Sequence, residues 1–122
     1  MFVFEQGVPL ADEVDGQDAD ALHLVAVARG RVVGTVRLFD EGSRWRLTRM
    51  AIDRRQRGLG IGRVLIAHSH ARAAREGAAE MVLSAQLGAR DFYARQGYEA
   101  TGGAYLDAGI AHVTMRRSLD DV

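Results

Sequence analysis

The stretch whose residue types could do chemistry is Arg57-Gly58-Leu59-Gly60-Ile61-Gly62, between an apolar strand candidate and a long amphipathic helix candidate. Three glycines at alternate positions permit dihedrals closed to other residues and let a ligand approach the backbone, and a helix starting here would leave amide N–H groups unpaired. Those amides, with the positive end of the helix dipole, favour an anion, so the stretch reads as a phosphate-binding turn. Charge agrees: from Arg44 to Arg63 there are seven arginines against the single Asp53, as a ligand with several phosphates would require. Between Asp12 and Asp20 lie five acids and no base, a segment that could attract an amine or simply be solvated surface.

Other phosphate-binding classes fit poorly. Gly-x-Gly-x-Gly is not the Gly-x-Gly-x-x-Gly of dinucleotide-binding oxidoreductases, and 122 residues leave no room for a substrate domain beside one. No Gly-x-x-x-x-Gly-Lys-Ser/Thr occurs, which excludes a P-loop. With no cysteine, a thiolate metal site and a cysteine acyl intermediate are both excluded. A formal net charge of zero argues against a dedicated nucleic-acid binder. No apolar run approaches the roughly 20 residues of a membrane helix and no signal core opens the chain, so a cytoplasmic protein with no membrane partner is expected. His68 and His70, two apart on a helix, face different directions, and no metal site is expected.

The elements that must position the glycine turn follow from periodicity. Leu22–Ala28 and Val32–Phe39 read as hairpin strands about Arg29-Gly30-Arg31, and Trp45–Ile52 as a third strand leading into the turn. Ile61, Val64, Leu65, His68 and Ala71 recur at helical spacing up to about Glu76, with Gly77 as the stop. Met81–Ala85 reads as a short buried strand and Gly88–Gln96 as a second helix. Tyr98–Thr101 and Ala111–Arg116 read as final strands, separated by turns at Gly102-Gly103 and Asp107-Ala108-Gly109, whereas Leu10–Ala21 reads as a loop or short helix. Strands before, between and after two helices predict one α/β domain over residues 1–122, a mixed sheet with helices packed on it.

Met50 to Leu65 resembles the acetyl-CoA-binding motif of the GNAT N-acetyltransferase superfamily, Arg/Gln-x-x-Gly-x-Gly/Ala. Arg55 or Arg57 can stand first; Arg57 is preferred because Arg57 to Leu65 fits the fuller Arg-Gly-x-Gly-Ile-Gly-x-x-Leu. Ala89 to Tyr98 is similar to that superfamily's late helix, Ala-x-x-Phe-Tyr-x-x-x-Gly-Phe/Tyr. Phe2 to Pro9, Asp15-Gly16-x-Asp18, Ala85-Gln86 and Tyr105 to Met115 are similar to its ElaA-like subgroup. The resemblance implies a mixed, mostly antiparallel sheet with helices on both faces. Relative to that subgroup an N-terminal strand and part of the first helix, before the segment matching Phe2 to Pro9, are absent, so that the chain starts inside that helix. Leu22–Ala28 would then be exposed at the sheet edge or covered by another chain, as in a homodimer.

The resemblance also implies an enzyme that carries acetyl from acetyl-CoA directly to the amine of a small molecule or peptide. Met50, Ala51 and Ile52 would pair with the pantetheine arm, and Arg57, Gly58, Leu59, Gly60, Ile61, Gly62 and Arg63 would hold the pyrophosphate. By motif position Tyr93 is the candidate acid for the departing thiolate. His112, Asp107 and Glu5 are candidate bases, His112 the first of them. The rival reading is a non-catalytic module that binds acetyl-CoA or a partner chain.

Overall fold

In a computed structural model the chain is described over residues 2–3, 9–14 and 21–122. Eight strands form one sheet: β1 (Phe2–Val3), β2 (Pro9–Val14), β3 (Ala21–Ala28), β4 (Arg31–Glu41), β5 (Arg44–Ile52), β6 (Glu80–Gln86), β7 (Glu99–Asp107) and β8 (Ile110–Ser118), in spatial order β1-β2-β3-β4-β5-β6-β8-β7. Every neighbouring pair is antiparallel except β5 and β6. Helix α1 (Ile61–Arg75) makes the crossover between those two strands, and the short α2 (Arg90–Arg95) leads from β6 toward the far edge at β7. The mixed, mostly antiparallel sheet with helices is the expected architecture.

Alternation sorts the side chains. Leu22, Leu24 and Ala26 of β3 are buried on one face with Val36 and Leu38 of β4, Trp45 and Leu47 of β5, Met81, Leu83 and Ala85 of β6, and Val113 and Met115 of β8. Helix α1 lays Ile61, Leu65, Ile66, Ser69, His70 and Ala73 onto that core at three- and four-residue steps. The two helices meet: His70 of α1 contacts Tyr98, just past α2, and Phe92 of α2 sits beside Gly62 of α1.

Gly34 fixes how closely α1 approaches. A Cβ there would stand 3.0 Å from Ile52 Cδ1, Ile61 Cγ2 and Leu65 Cδ1 at once. Three converging apolar side chains leave little room to relax, so Gly34→Ala is expected to lower unfolding free energy by about 1–3 kcal/mol, measured by urea denaturation.

A second packing contact carries a pH dependence. His70 Nε2 lies 2.7 Å from the Tyr98 hydroxyl, both groups buried between α1 and the end of α2. Burial, then the positive charge of Arg117, lower the His70 pKa to about 4, with Asp121 opposing. The folded state therefore binds fewer protons than the unfolded chain between pH 4 and about 6.5, and stability rises with pH across that window. The His70 contribution is complete above about pH 6.5 and is lost as pH falls to 4, a loss of about 3 kcal/mol. Thermal melts from pH 7 to pH 4 are expected to show it, with a smaller slope in His70→Gln.

The structure corrects four expectations. Pro9–Val14, read as loop or short helix within Leu10–Ala21, is strand β2, paired with β3 from Leu10↔Ala26 to Val14↔Leu22. An open strand edge supplies hydrogen bonds that outweigh the weak strand propensity of Ala11-Asp12-Glu13. The edge of β3 is thus covered by the chain's own β2 instead of being exposed or held by a second copy. Phe2–Val3, placed by resemblance inside a helix, is a two-residue strand on β2. Gly102-Gly103 is no turn: it lies inside β7, where pairing with β8 is irregular between Thr101 and Tyr105 and Gly102 takes φ +74°. Pairing resumes on both sides, so the glycines absorb a bulge. Residues 4–8 and 15–20, with Glu5 and Asp15-Gly16-x-Asp18, lie outside the described residues.

Candidate active site

The site begins where two parallel strands part. β5 and β6 are paired only from Arg44↔Glu80 to Leu47↔Leu83. Beyond Leu47 the two strands line opposite sides of a cleft of about 360 Å³, Thr48, Arg49 and Met50 on one side and Ser84, Ala85 and Gln86 on the other. A bulge in β5 sits at its mouth. Thr48 pairs with Arg37 and Ala51 with Thr35, so Arg49 and Met50 together face Val36, and Arg49 takes φ +49°. A non-glycine residue in the left-handed region costs of order 1–3 kcal/mol, and such strain gathers at functional sites.

The chain then enters the glycine turn. The Asp53 carboxylate accepts from the Arg55 N–H at 3.0 Å and starts a single 3-10 turn, Arg54–Gln56. Gly58 and Gly60 take φ +84° and +83°, which L side chains rarely adopt. Gly60 is the N-cap of α1, so no side chain caps the helix, and no acid stands in its first turn. The first-turn N–H groups of α1 are left to bind something else, and the helix dipole makes an anion the favoured occupant.

A groove of about 800 Å³ runs from Met50, Ala51 and Ile52 to Arg57, Gly58, Gly60, Ile61, Gly62 and Arg63, with Gly88, Ala89 and Phe92 opposite. Nine of the ten residues expected to hold acetyl-CoA line it; the exposed Leu59 does not. Gly62 lets the walls meet: a Cβ there would be 3.3 Å from Phe92 Cζ and 3.7 Å from Met50 Cε. Met50, Ala89 and Phe92 also line the cleft between β5 and β6, so groove and cleft adjoin along these three residues.

Tyr93 and His112 line that cleft as well. Tyr93 is buried, edge-on to Phe92 and Tyr98, and its hydroxyl has no hydrogen-bond partner among the described residues. Burial raises its pKa, which keeps the phenol protonated. His112 Nδ1 lies 2.7 Å from the Ile110 carbonyl oxygen. A carbonyl only accepts, so Nδ1 carries a proton, and Nε2 is the ring nitrogen left to exchange a proton with a substrate. The ring stacks on Tyr105, whose hydroxyl hydrogen-bonds Ser84 across the sheet. Asp107 does not line the cleft.

Residues 7–119 match the family model for the acetyltransferase (GNAT) domain. The chain belongs to the GNAT acetyltransferase family. The uncharacterized N-acetyltransferase YjcF of Bacillus subtilis is 31% identical over 118 residues, covering 96% of this chain and 84% of YjcF. The crystal structure of Escherichia coli ElaA superposes with a TM-score of 0.74 at 22% identity, covering 86% of this chain and 74% of that one. An aminoglycoside 6'-N-acetyltransferase solved with coenzyme A gives a TM-score of 0.75 at 16% identity, covering 87% of this chain and 77% of that one. These two likenesses are of fold. In this GNAT domain, sequence reasoning missed the bulge at Arg49 and the Ser84–Tyr105–His112 grouping. A bulge leaves no periodic signal at this length, and the grouping joins three strand positions far apart in sequence.

Proposed function

We propose that this GNAT domain, within the ElaA-like subgroup, transfers acetyl from acetyl-CoA directly to a primary amine. The observation that carries the reading is that the glycine groove adjoins the cleft that Tyr93 and His112 line, with Met50, Ala89 and Phe92 common to both. The amides of Gly58 to Arg63 receive the pyrophosphate, with Arg57 and Arg63 adding charge-assisted bonds. Backbone groups of Met50, Ala51 and Ile52 pair with the pantetheine arm, which brings the thioester into the cleft. No enzyme-bound acyl intermediate is needed.

His112 Nε2 takes a proton from the incoming ammonium, and the freed amine attacks the thioester carbonyl. An amide N–H near the bulge at Arg49–Met50 stabilises the developing oxyanion. The new C–N bond forms, the C–S bond breaks, and Tyr93 meets the departing thiolate. Full proton donation from a phenol of pKa near 10 to a thiolate whose acid has pKa near 8.5 is uphill by about 2 kcal/mol, and burial of Tyr93 widens the gap. Tyr93 therefore hydrogen-bonds the thiolate and relays a proton from the ammonium product. His112→Gln is expected to reduce kcat/KM about fivefold at neutral pH, since water can reach this cleft and replace part of the base. The deciding experiment is calorimetric titration with acetyl-CoA followed by a thiol-release assay with amine acceptors. A folded protein that binds no acetyl-CoA would sink the proposal.

A further inference from the structure

The cleft that receives the acceptor is lined, among the described residues, by one guanidinium and no carboxylate. Its lining is apolar at Leu47, Met50, Leu83, Ala85, Ala89 and Phe92, and neutral but polar at Thr48, Ser84, Gln86 and Tyr93. Beyond these stand only His112 and Arg49; no described carboxylate faces the cleft. Among the described residues a polycationic amine finds no carboxylate here to balance its second charge. Arg49 is exposed, and no hydrogen bond or ion pair engages it among the described residues. Its neighbour on the same strand, Arg46, is instead tied to Glu41 at 3.2 Å. The groove for the phosphates has its own arginines, Arg57 and Arg63, and Arg49 does not line it. The left-handed backbone of Arg49 adds to the contrast: an arginine with no side-chain partner among the described residues is held in a strained conformation where it lines the cleft.

Resting on the proposed acetyl transfer, we propose that the acceptor is an amine carrying an anionic group, which Arg49 binds while the amine faces His112. The guanidinium meets a carboxylate or phosphate with two parallel hydrogen bonds. Holding the anion at the mouth sets the distance from amine to thioester, so part of the benefit appears in kcat as well as in KM. The balance of the step is that of simple acetyl transfer. The amine loses a proton to His112 Nε2, its nitrogen bonds the acetyl carbon, and CoA leaves as the thiol. The anion on the acceptor takes no part in bond making.

The test is an initial-rate panel of matched acceptors: propylamine against β-alanine, glucosamine against glucosamine 6-phosphate, and spermidine, each with wild type, Arg49→Gln and Arg49→Lys. The anionic member of each pair is expected to have a kcat/KM about ten- to a hundredfold above its neutral counterpart, the size of a charge-assisted bond pair. Arg49→Gln should bring that ratio near one and Arg49→Lys should restore part of it; the two pairs separate a carboxylate from a phosphate preference. Thermal melting establishes that the variants are folded. A wild type that prefers spermidine or the neutral amines, or an Arg49→Gln protein that keeps the preference, overturns the inference. Titration of the acetyl-CoA-bound protein with the same amines, followed through the Arg49 Nε–Hε NMR resonance, separates this from the transfer reading. A shift with the anionic amines but no turnover supports the acceptor class and sinks the transfer step. No shift and no turnover overturns the inference as well.

Discussion

Gly62→Leu is expected to weaken acetyl-CoA binding at least a hundredfold, about 2.7 kcal/mol, in calorimetric titration. Gly62 sits in the first turn of α1, where the end of β5 and helix α2 converge, and a Cβ alone would approach Phe92 Cζ to 3.3 Å. Three further carbons must either enter the groove beside Met50 and Ile52 or push α2 away, and both remove the channel between phosphate turn and cleft. Overpacking should also cost about 1–3 kcal/mol of stability, so a melting curve must accompany the titration. Gly62→Ala is the companion variant. Its φ lies outside the left-handed region, and the one added carbon should weaken binding only several-fold. If Gly62→Leu is folded and binds with wild-type affinity, the groove is not the acetyl-CoA site.

Tyr93→Phe is expected to lower kcat by between ten- and a hundredfold, about 1.4–2.7 kcal/mol of transition-state stabilisation, with acetyl-CoA affinity nearly unchanged. The ring supplies packing against Phe92 and Tyr98, and phenylalanine keeps all of it. What is removed is a hydroxyl with no protein partner among the described residues, on a side chain that lines the cleft. Its burial-raised pKa keeps it a donor throughout the range where enzymes are assayed, so the loss should not vary with pH below about 9. A change in KM with unchanged kcat would make Tyr93 a wall of the site and remove it from the chemistry.

The amino-acid sequence by itself determined the groove and the elements around it. Alternating apolar residues in Leu22–Ala28 and Val32–Phe39 and helical spacing from Ile61 are local patterns, and each became the expected element. The glycine turn was legible for the same reason. Gly58 and Gly60 stand where the backbone needs positive φ, so the residue type carries the geometry. Tertiary structure decided what depends on a partner strand. β2 exists because β3 offers an edge, although its sequence has little strand preference. The Gly102-Gly103 pair became a bulge because β8 pairs on both sides of it. The cleft arises because β5 and β6 stop pairing after Leu47 and Leu83, strands joined only through the α1 crossover. That separation, with the bulge that turns Arg49 to φ +49°, places Arg49, Ser84, Tyr93 and His112 around one space. No local period could place them there, because the four residues belong to four elements whose spacing is set by packing.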